Sequence, residues 1–493
     1  MSEARPAAPA RASVSGRLDA LPFTRKHLRV LTGSGVGWAL DAMDVGLISF
    51  IIAALSVQWD LTKGEGGLIA SIGFAGMAVG ASLGGLLADR IGRRQVFALT
   101  LLVYGIATGA SALVGGIALL LVLRFFVGLG LGAELPVAST YVSEFAPARI
   151  RGRLIVILEA FWAVGWTASA VIGYFVVPAS ADGWRWAFAI GAIPALYALV
   201  VRLGLPESPR WLAGRGRTAE AERIVAEFEA SANPDAIDSV EPPTTTSSLE
   251  AVVSSRTDAL ARARDDAPAA AASGSTLEGS GSGVLDDEPS RGRERRSGIA
   301  ALWAPGYRSR TFSIWIVWFC VNFAYYGAFI WIPSILVDAG FSLVRSFGFT
   351  LIITLAQLPG YAVAAWLIEK WGRRLTLSVF LVGSACSAIA FGTVHVEAAI
   401  IGAGMALSFF NLGAWGAVYA VTPELYPTPL RATGAGWAAG VGRIASIIAP
   451  LLVPIMLVAG GAGLTFTVFA LFFGIAAFAC WGLVEYRGRS LDE

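Results

Sequence analysis

The chain has little charge, little histidine and little cysteine for its 493 residues. Only 15% of the residues are charged and 56% are hydrophobic, which is too apolar for a soluble protein of two or three domains. Together with a mean hydropathy of +0.66, this composition indicates a chain that lies in a lipid bilayer. The net charge of +2 provides no basic excess for a nucleic-acid partner.

The few reactive residues occur in positions that favour packing over chemistry. Cys320, Cys386 and Cys480 fall inside apolar runs without a CxxC spacing, so we expect neither a metal site nor a disulfide. His27 and His395 lie near the ends of apolar runs, and no nucleophile and base accompany them. The sequence also lacks a GxxxxGK(S/T) loop for ATP. We therefore expect a protein that is not an enzyme, has no cofactor and is not driven by ATP.

Twelve long apolar runs alternate with charged or Gly- and Pro-containing breaks. A helix needs roughly 20 apolar residues to span a bilayer, and each run approaches or exceeds that length. The runs form two sets of six, at 29–57, 67–88, 95–115, 117–142, 153–177 and 184–205, then at 310–337, 346–368, 374–394, 397–421, 430–457 and 463–484. We predict an all-α membrane protein rather than a barrel of alternating strands.

The connections between the runs alternate between basic and nearly uncharged segments. Basic residues cluster near positions 90–94, 149–153, 370–374 and 431. By the positive-inside rule, we expect both termini and the long central loop to be cytoplasmic in an integral plasma (inner) membrane protein. The first 27 residues are basic but contain no apolar core, so we predict no cleaved signal peptide.

Changes in composition divide the chain into domains. We predict a tail (1–27), a six-helix bundle (28–205), a cytoplasmic linker (206–309), a second six-helix bundle (310–485) and a final tail (486–493). In the linker, helical spacing of Ala221, Ile224, Val225 and Phe228 predicts a short amphipathic helix near 218–230, lying under the membrane domain. Residues 231–297 have hardly any aliphatic clusters, and we predict a disordered segment there.

Two motifs recur at a single offset. The sequence ADRIGRR at 88–94 returns as IEKWGRR at 368–374, an offset of 280 residues. Glu144, Pro147 and Arg151 return at the same offset as Glu424, Pro427 and Arg431. One offset shared by two motifs predicts that the six-span halves are structural repeats with a cleft between them near the middle of the membrane.

These motifs resemble those of a known family. The loop at 85–94 and its copy at 369–374 resemble the inter-helix motif of the major facilitator superfamily, and PESPRWL at 206–212 and PELYP at 423–427 resemble its sugar-porter and metabolite:proton-symporter branch. The first span, GWALDAMDVG at 37–46, is similar to bacterial niacin transporters and to aromatic acid:proton symporters. The resemblance implies the major facilitator fold, with twelve transmembrane helices and alternating access.

The resemblance also bears on the substrate. Sugar porters present a glutamine on span five and a Gln-Leu-Ser stretch on span seven. This chain has Glu159 and the stretch from Asn322 to Tyr326 instead. A sugar is therefore a less favoured substrate than an organic acid.

Charged residues inside the predicted spans are candidates for function, because ionised groups in a bilayer cost a few kcal/mol at least. Six lie well inside the spans, namely Asp41, Asp44, Arg124, Glu134, Glu159 and Arg443. Four acids against two bases leave a charge of −2 in the cleft if all are ionised. Protonation of one or two acids, or a cationic ligand, would relieve this imbalance. The resemblance implies that Asp41 or Asp44 works with Arg124 in proton coupling. A structural ion pair is the alternative.

Arg443 and several aromatic residues are the candidates for substrate binding. Arg443 has Ala163 at its repeat position, and an unpaired guanidinium facing the cleft suits a carboxylate. The alternative is that it pairs with Glu159 or Glu134 and holds the halves together. Aromatic and amide side chains at helical spacing favour a flat organic ligand, with packing as the alternative. These residues are Trp162, Tyr325, Tyr326, Asn411 and Trp415.

The acidic and basic residues of the loops form a candidate cytoplasmic gate. They are Asp89, Arg93, Glu144 and Arg151 in the first half, and Glu369, Arg373, Glu424 and Arg431 in the second. The resemblance implies that such clusters hold the inward side closed. The alternative is that they determine only topology.

The sequence thus predicts a proton-coupled symporter of a small organic acid, first of all nicotinate or a similar aromatic monocarboxylate. Its expected partners are the substrate, protons and the lipid bilayer, and we expect it to work as a monomer. An organic cation or sugar transporter of the same fold, or a non-transporting sensor, is the alternative.

Overall fold

The computed structural model describes residues 13–232 and 299–484, and this part of the chain contains helices and no strand. The first half comprises α1 (Val14–Ala20), α2 (Arg25–Gln58), α3 (Lys63–Ile91), α4 (Arg93–Ser111), α5 (Ile117–Phe145), α6 (Arg151–Phe175), α7 (Gly183–Ile190), α8 (Ile193–Gly204), α9 (Pro209–Gly214) and α10 (Thr218–Ala232). The second comprises α11 (Ile299–Leu302), α12 (Arg308–Asp338), α13 (Leu343–Leu355), α14 (Gln357–Trp371), α15 (Arg373–Thr393), α16 (Glu397–Glu424) and α17 (Thr428–Ala479).

Ten helical segments of the described residues are long and apolar enough to cross a membrane. The difference from twelve has two sources. The helix α17 covers both of the last two predicted spans, and the backbone at Gly460 and Gly461 divides it, with φ at Gly461 of 63°. The helix α4 coincides with the third predicted span but begins with two arginines and a glutamine, and it is not among the ten. Helices occupy all twelve predicted positions, and the number of membrane spans stays a prediction.

The two copies of the basic-loop motif share a glycine turn. Gly92 separates α3 from α4 with φ of 110°, and Gly372 separates α14 from α15 with φ of 89°. Residues with a β-carbon rarely adopt these angles. At Gly92 a β-carbon would also lie 2.5 Å from Oε2 of Glu207. The turn therefore depends on glycine, and it places an arginine at the start of the following helix in each half.

Each half pairs its helices in the same way. In the first half α2 packs on α6 and α3 on α5, while in the second α12 packs on α17 and α14 on α16. The contact between α3 and α5 is close enough that a β-carbon on Gly128 would lie 1.9 Å from the carbonyl oxygen of Gly73. Arg124 lies one turn earlier on α5, where its side chain is buried inside the first half.

The halves meet closely at one end of the helices. We call the end that carries the loops at 88–94, 146–153, 369–374 and 425–431 the basic end, and the other the opposite end. At the opposite end, Ser71 Oγ donates to the carbonyl of Ile447 at 2.8 Å, and Lys63 pairs with Asp338 at 2.6 Å. At the basic end, the ion pair between the halves in the described ranges joins Arg153 to Glu369 at 3.8 Å, with both side chains exposed. The basic end is thus more loosely held.

Two short helices cover the basic end of the first half. The helix α10 buries Ala221, Ile224, Val225 and Phe228, and the Phe228 ring stacks on Phe145 at 5.2 Å between centroids. The helix α1 lies within the predicted tail, a segment for which no helix was predicted, and buries Leu18. The predicted disordered segment lies outside the described residues except for its first two positions, which belong to α10. The final tail also lies outside them.

Two of the three cysteines pack as expected. Cys320 and Cys480 are buried, whereas Cys386 is exposed on α15, so the expectation of a packing role was wrong for that residue. A cysteine inside an apolar run can face lipid as readily as a neighbouring helix, which the sequence does not distinguish.

Candidate transport site

A buried ion pair lies at the centre of the first half. Arg124 on α5 donates to Asp44 on α2 at 3.0 Å, and the two side chains are only 4% and 1% exposed. Thr108 Oγ1 on α4 donates to the other carboxylate oxygen at 2.7 Å. Asp44 is thereby satisfied on both oxygens. Of the two aspartates of the first span, Asp44 is the one that pairs with the arginine.

Asp41 lies one turn before Asp44 and faces a different environment. Its carboxyl group lies next to the carboxyl of Glu134 on α5 and the hydroxyl of Tyr104 on α4. These five oxygen atoms are buried, and none has hydrogen-bonding geometry with a described residue. Two adjacent carboxyl groups without a bonded cation repel each other when both are ionised. The arrangement therefore disfavours the state in which both carboxyl groups are ionised.

Glu159 and Arg443 face each other from opposite halves. Glu159 on α6 is buried beside the Trp38 indole, and Arg443 on α17 lies beside the hydroxyl of Tyr326. The positive charge of Arg443 acts on both Asp41 and Glu159, without an ion pair within 4.0 Å in the described part of the chain. Arg443 Nη1 is buried and has no hydrogen-bond partner there. The alternative role of Arg443 as an ionic tie between the halves is not realised in this conformation.

Aromatic side chains from both halves line the same region. Trp162 Nε1 on α6 donates to the Tyr325 hydroxyl on α12 at 3.2 Å, across the boundary between the halves. The Tyr325 ring lies 4.9 Å from Tyr326 and 5.5 Å from Trp415 on α16. Trp38 lies 5.0 Å from Trp162. These rings form an aromatic cage, which we define as Trp38, Trp162, Tyr325, Tyr326 and Trp415.

The amides near the cage differ in their hydrogen bonding. Asn322 on α12 donates to the Trp318 carbonyl at 2.7 Å and accepts from Ser446 Oγ at 3.0 Å, so it connects α12 to α17. Asn411 on α16 is fully buried, and neither end of its amide has a partner among the described residues. Asn322 is therefore structural, and Asn411 is available to a ligand.

The predicted gate residues form ion pairs mainly within each half. Arg93 contacts Glu144 at 3.2 Å and Asp89 at 2.8 Å, and in the second half Arg373 contacts Glu424 at 3.0 Å. The backbone N–H groups of Arg93 and Arg94 donate to the Glu207 carboxylate at 3.0 and 3.1 Å. The carboxylate thus caps the start of α4, where the helix dipole favours negative charge. Arg151, Glu369 and Arg431 are the predicted gate residues that do not contact Arg93 or Arg373 in these ion pairs.

Arg151 binds a residue that the sequence did not single out. Its guanidinium contacts Asp19 at the end of α1, and Arg210 contacts the same carboxylate at 2.7 Å. Arg151 Nε also donates to the Ser143 carbonyl at 3.1 Å. Glu369 forms the loose pair with Arg153, and Arg431 is half-buried with an unpartnered Nε among the described residues. The signal for Asp19 in the sequence was weak, because an isolated acidic residue in a basic tail resembles any solvated charge.

Comparisons with known proteins agree with this fold. Residues 35–391 match the Major Facilitator Superfamily. This chain belongs to the major facilitator superfamily. It is a multi-pass membrane transporter, as the resemblance implied, and not an enzyme. It is 42% identical to the niacin transporter NiaP of Acinetobacter baylyi, over 97% of this chain and 98% of the relative.

Two further matches support the same assignment. The organic cation/carnitine transporter 7 of Arabidopsis thaliana is 32% identical over 98% of this chain and 96% of the relative. A solved structure of the xylose transporter XylE from E. coli superposes with a TM-score of 0.69 at 19% identity, covering 95% of this chain and 100% of that chain. The predicted major facilitator fold is confirmed.

Proposed function

We propose that this transporter is a proton-coupled symporter of a small aromatic monocarboxylate, with nicotinate as the first substrate. The observation that carries the proposal is the distribution of buried charge. Of the four acids well inside the spans, Asp44 is the one with an ion-pair partner among the described residues, and that partner is Arg124. Asp41 and Glu134 lie side by side without one, and they are the proposed proton carriers.

Arg443 links the binding of the acid to the binding of the proton. Its charge acts on Asp41 and Glu159, which favours their ionised forms. A substrate carboxylate on Arg443 cancels that charge, so the two acids then favour the protonated form. By linkage, a bound proton strengthens the binding of the carboxylate to the same extent. Substrate and proton therefore bind together, as symport requires.

The aromatic cage favours a flat ring as the rest of the substrate. The Tyr326 hydroxyl lies next to the Arg443 guanidinium, and the Tyr326 ring packs against Tyr325 and Trp415. An aromatic acid can therefore stack on these rings while its carboxylate binds the arginine. The relative from Acinetobacter baylyi carries the name niacin transporter, and this supports nicotinate as the first substrate to test.

The basic loops set the orientation of the transporter in the membrane, and the two bundles move relative to each other during the transport cycle. The basic end faces the cytoplasm in our proposal, with both termini on that side of the plasma membrane, because cytoplasmic loops carry excess arginine and lysine. The bundles at 28–205 and 310–485 then rock about the central site. Each chain has its own cleft, so we propose that the monomer is the functional unit.

An organic cation is the second candidate substrate. The excess of buried acids favours it, because a cationic ligand would pair with Asp41, Glu134 or Glu159. A relative at 32% identity carries the name organic cation/carnitine transporter. The free Nη1 of Arg443 disfavours it, since the guanidinium would lie close to the bound cation.

The test is uptake of labelled nicotinate into proteoliposomes that hold the purified protein, with an acid-outside gradient and with or without a protonophore. We expect accumulation that the protonophore abolishes. Glu134→Gln should lose accumulation against a gradient but keep exchange of external for internal nicotinate, since only the proton step is removed. Arg443→Gln should lose both activities, because it removes the anchor for the carboxylate.

Accumulation that persists with the protonophore would contradict proton coupling. Absence of nicotinate uptake, together with exchange of an organic cation, would contradict the substrate class and favour the second candidate.

A further inference from the structure

The helix α4 presents two hydroxyl groups to the buried acids of the first half, and one of them has no assigned role. Thr108 donates to Asp44 at 2.7 Å. Tyr104 lies one turn earlier on the same face of α4 and is fully buried, and its hydroxyl has no hydrogen-bond partner among the described residues. Buried hydroxyls are nearly always hydrogen-bonded, because an unmade bond costs free energy. The Tyr104 hydroxyl therefore requires an explanation.

Contacts between α2, α4 and α5 place Tyr104 at the level of Asp41. A β-carbon on Gly37 of α2 would lie 2.7 Å from the Phe97 ring of α4 and 2.8 Å from Oε1 of Glu134 on α5. Phe97 lies two turns before Tyr104, and Gly37 lies one turn before Asp41. The Tyr104 hydroxyl lies next to the Asp41 carboxyl, and the charge of Glu134 acts on it as well.

The packing of α4 on α5 holds Tyr104 in this position. A β-carbon on Gly130 of α5 would lie 2.7 Å from the Tyr104 Cβ and 3.0 Å from the Thr100 carbonyl oxygen. Gly130 lies one turn before Glu134 on α5. Because the two backbones approach so closely, the position of the tyrosine relative to Glu134 is set by the helices themselves and not by a flexible side chain.

Other charged and titratable groups act on this group of side chains from four helices. They are Asp44 on α2, Arg124 on α5, Tyr197 on α8 and Arg443 on α17. Arg124 is bound to Asp44, and the Tyr197 hydroxyl donates to the Gly33 carbonyl at 2.8 Å. The Tyr104 hydroxyl is thus a neutral donor beside Asp41 whose proton no described group accepts.

A phenol hydroxyl can stabilise a carboxylate without adding charge to the site. It keeps its own proton near neutral pH and can donate it in a hydrogen bond to one acceptor. A hydrogen bond to an ionised carboxylate favours the ionised form. Because Asp41 and Glu134 disfavour the state in which both are ionised, the pair ionises at one carboxyl at a time. A donor beside Asp41 therefore favours ionisation of Asp41.

We propose that Tyr104 is a positioning residue for the proton step, which donates a hydrogen bond to Asp41 when this carboxyl releases its proton on the cytoplasmic side. The O–H bond of the Asp41 carboxyl breaks, the proton passes to water, and Tyr104 keeps its own proton. The hydroxyl thereby sets the cytoplasmic pH at which the transporter releases its proton. The inference rests on the proposed function, because it assumes that Asp41 and Glu134 carry the proton.

The test measures the initial rate of nicotinate uptake into proteoliposomes as the internal pH is varied at a fixed external pH. Tyr104→Phe should shift the internal pH of half-maximal uptake upward by about one unit or more, because a hydrogen bond to a charged group changes an equilibrium by roughly tenfold or more. Exchange of external for internal nicotinate should continue at the wild-type rate, since exchange does not require release of the proton.

Tyr197→Phe is the matched control. It also removes a phenol hydroxyl on which the charge of Glu134 acts, but this hydroxyl is bonded to the Gly33 carbonyl. The control should therefore lower the temperature of thermal unfolding without shifting the pH of half-maximal uptake. Tyr104→Phe should unfold at about the wild-type temperature, because its hydroxyl has no partner in the described part of the chain.

The outcomes distinguish the role of Tyr104 from the proposed function. Proton-driven uptake by the wild type, with the same pH of half-maximal uptake in Tyr104→Phe, would overturn the role of Tyr104 alone. A fall in its unfolding temperature, with equal losses of uptake and exchange at every pH, would also overturn that role, since the hydroxyl would then be structural. Wild-type uptake that does not respond to the proton gradient would overturn the proposed function and this inference with it.

Discussion

At the scale of single residues, the two aspartates of α2 have separate roles although they lie one turn apart. Asp44→Asn leaves Arg124 buried without its ionic partner, which we expect to cost about 3–5 kcal/mol of stability. Asp41→Asn removes one of two adjacent carboxyls that lack an ion pair, so stability should be unchanged or higher, and only proton-driven accumulation should be lost. Thermal unfolding of the two purified variants measures the difference.

The two variants serve as controls for each other, because both change one aspartate on the same helix. A larger loss of stability in Asp41→Asn than in Asp44→Asn would contradict the assignment. Proton-driven accumulation that survives in Asp41→Asn would show that Asp41 is not needed for coupling.

A residue could be recognised as a candidate site residue from the sequence when its polarity differed clearly from that of its neighbours. Asp41, Asp44 and Arg443 were conspicuous as charges in apolar runs, and all three lie at the centre of the structure. The sequence did not indicate which aspartate binds the arginine, because that depends on the neighbouring helices.

At the scale of helices, the packing of α3 on α5 depends on Gly128. A β-carbon there would lie 1.9 Å from the Gly73 carbonyl oxygen, so Gly128→Ala should force the helices apart and cost about 1–3 kcal/mol. Gly436→Ala on α17 is the control. Its β-carbon would meet nothing within 4 Å, so alanine should be neutral or stabilising by about 0.5–1 kcal/mol. Thermal unfolding of both variants compares them, and equal effects would contradict the packing argument.

The contact of α1 with α10 should depend on pH. Arg17 donates to Glu229 at 2.8 and 2.5 Å, and these hydrogen bonds lower the pKa of the Glu229 carboxyl. Because the pKa is lower in the folded state, the pair stabilises the contact above the unfolded pKa, and the stabilisation is lost as pH falls through the folded value. The pair is partly exposed, so its contribution is at most about 1 kcal/mol.

Limited proteolysis near α1 measures this dependence. We expect cleavage by pepsin to increase as the pH falls through the lowered pKa of the Glu229 carboxyl, because protonation weakens its pairing with Arg17. Glu229→Gln should remove that pH dependence. Lys26→Gln, which breaks the neighbouring pair with Glu227, should retain it. Cleavage of the wild type that does not change with pH would contradict the role of the pair.

At the scale of the whole molecule, the sequence predicted the internal repeat and the positions of the helices along the chain. It did not predict which residues of the two halves contact each other. The shared offset of 280 residues reflects backbone turns that need glycine, such as Gly92 and Gly372, and such turns leave a clear pattern. The ion pair between Lys63 and Asp338 joins residues far apart in the chain, and neither belongs to a repeated motif. A contact of this kind becomes apparent only when the halves are assembled.

The ion pair between Lys63 and Asp338 should help to determine which end of the transporter is open. Breaking it by Lys63→Gln should favour opening at the opposite end by about 0.2–1 kcal/mol, a modest amount because both side chains are about half exposed. Ser71→Cys, in a background without the three native cysteines, probes this opening, since Ser71 is buried against Ile447 of the other half. Maleimide labelling at Ser71→Cys should accelerate up to about fivefold in Lys63→Gln.

Exchange of the two charges provides the decisive control for this prediction. Lys63→Asp combined with Asp338→Lys restores an ion pair of the same length, so labelling should return towards the wild-type rate, whereas each single change should accelerate it. Arg153→Gln breaks the loose pair at the basic end and should not accelerate labelling, because opening there leaves the contact at Ser71 closed. If Lys63→Gln labels at the wild-type rate, or if the exchange labels as fast as the single changes, closure of the opposite end rests on the helix contacts around Ser71 and not on this ion pair.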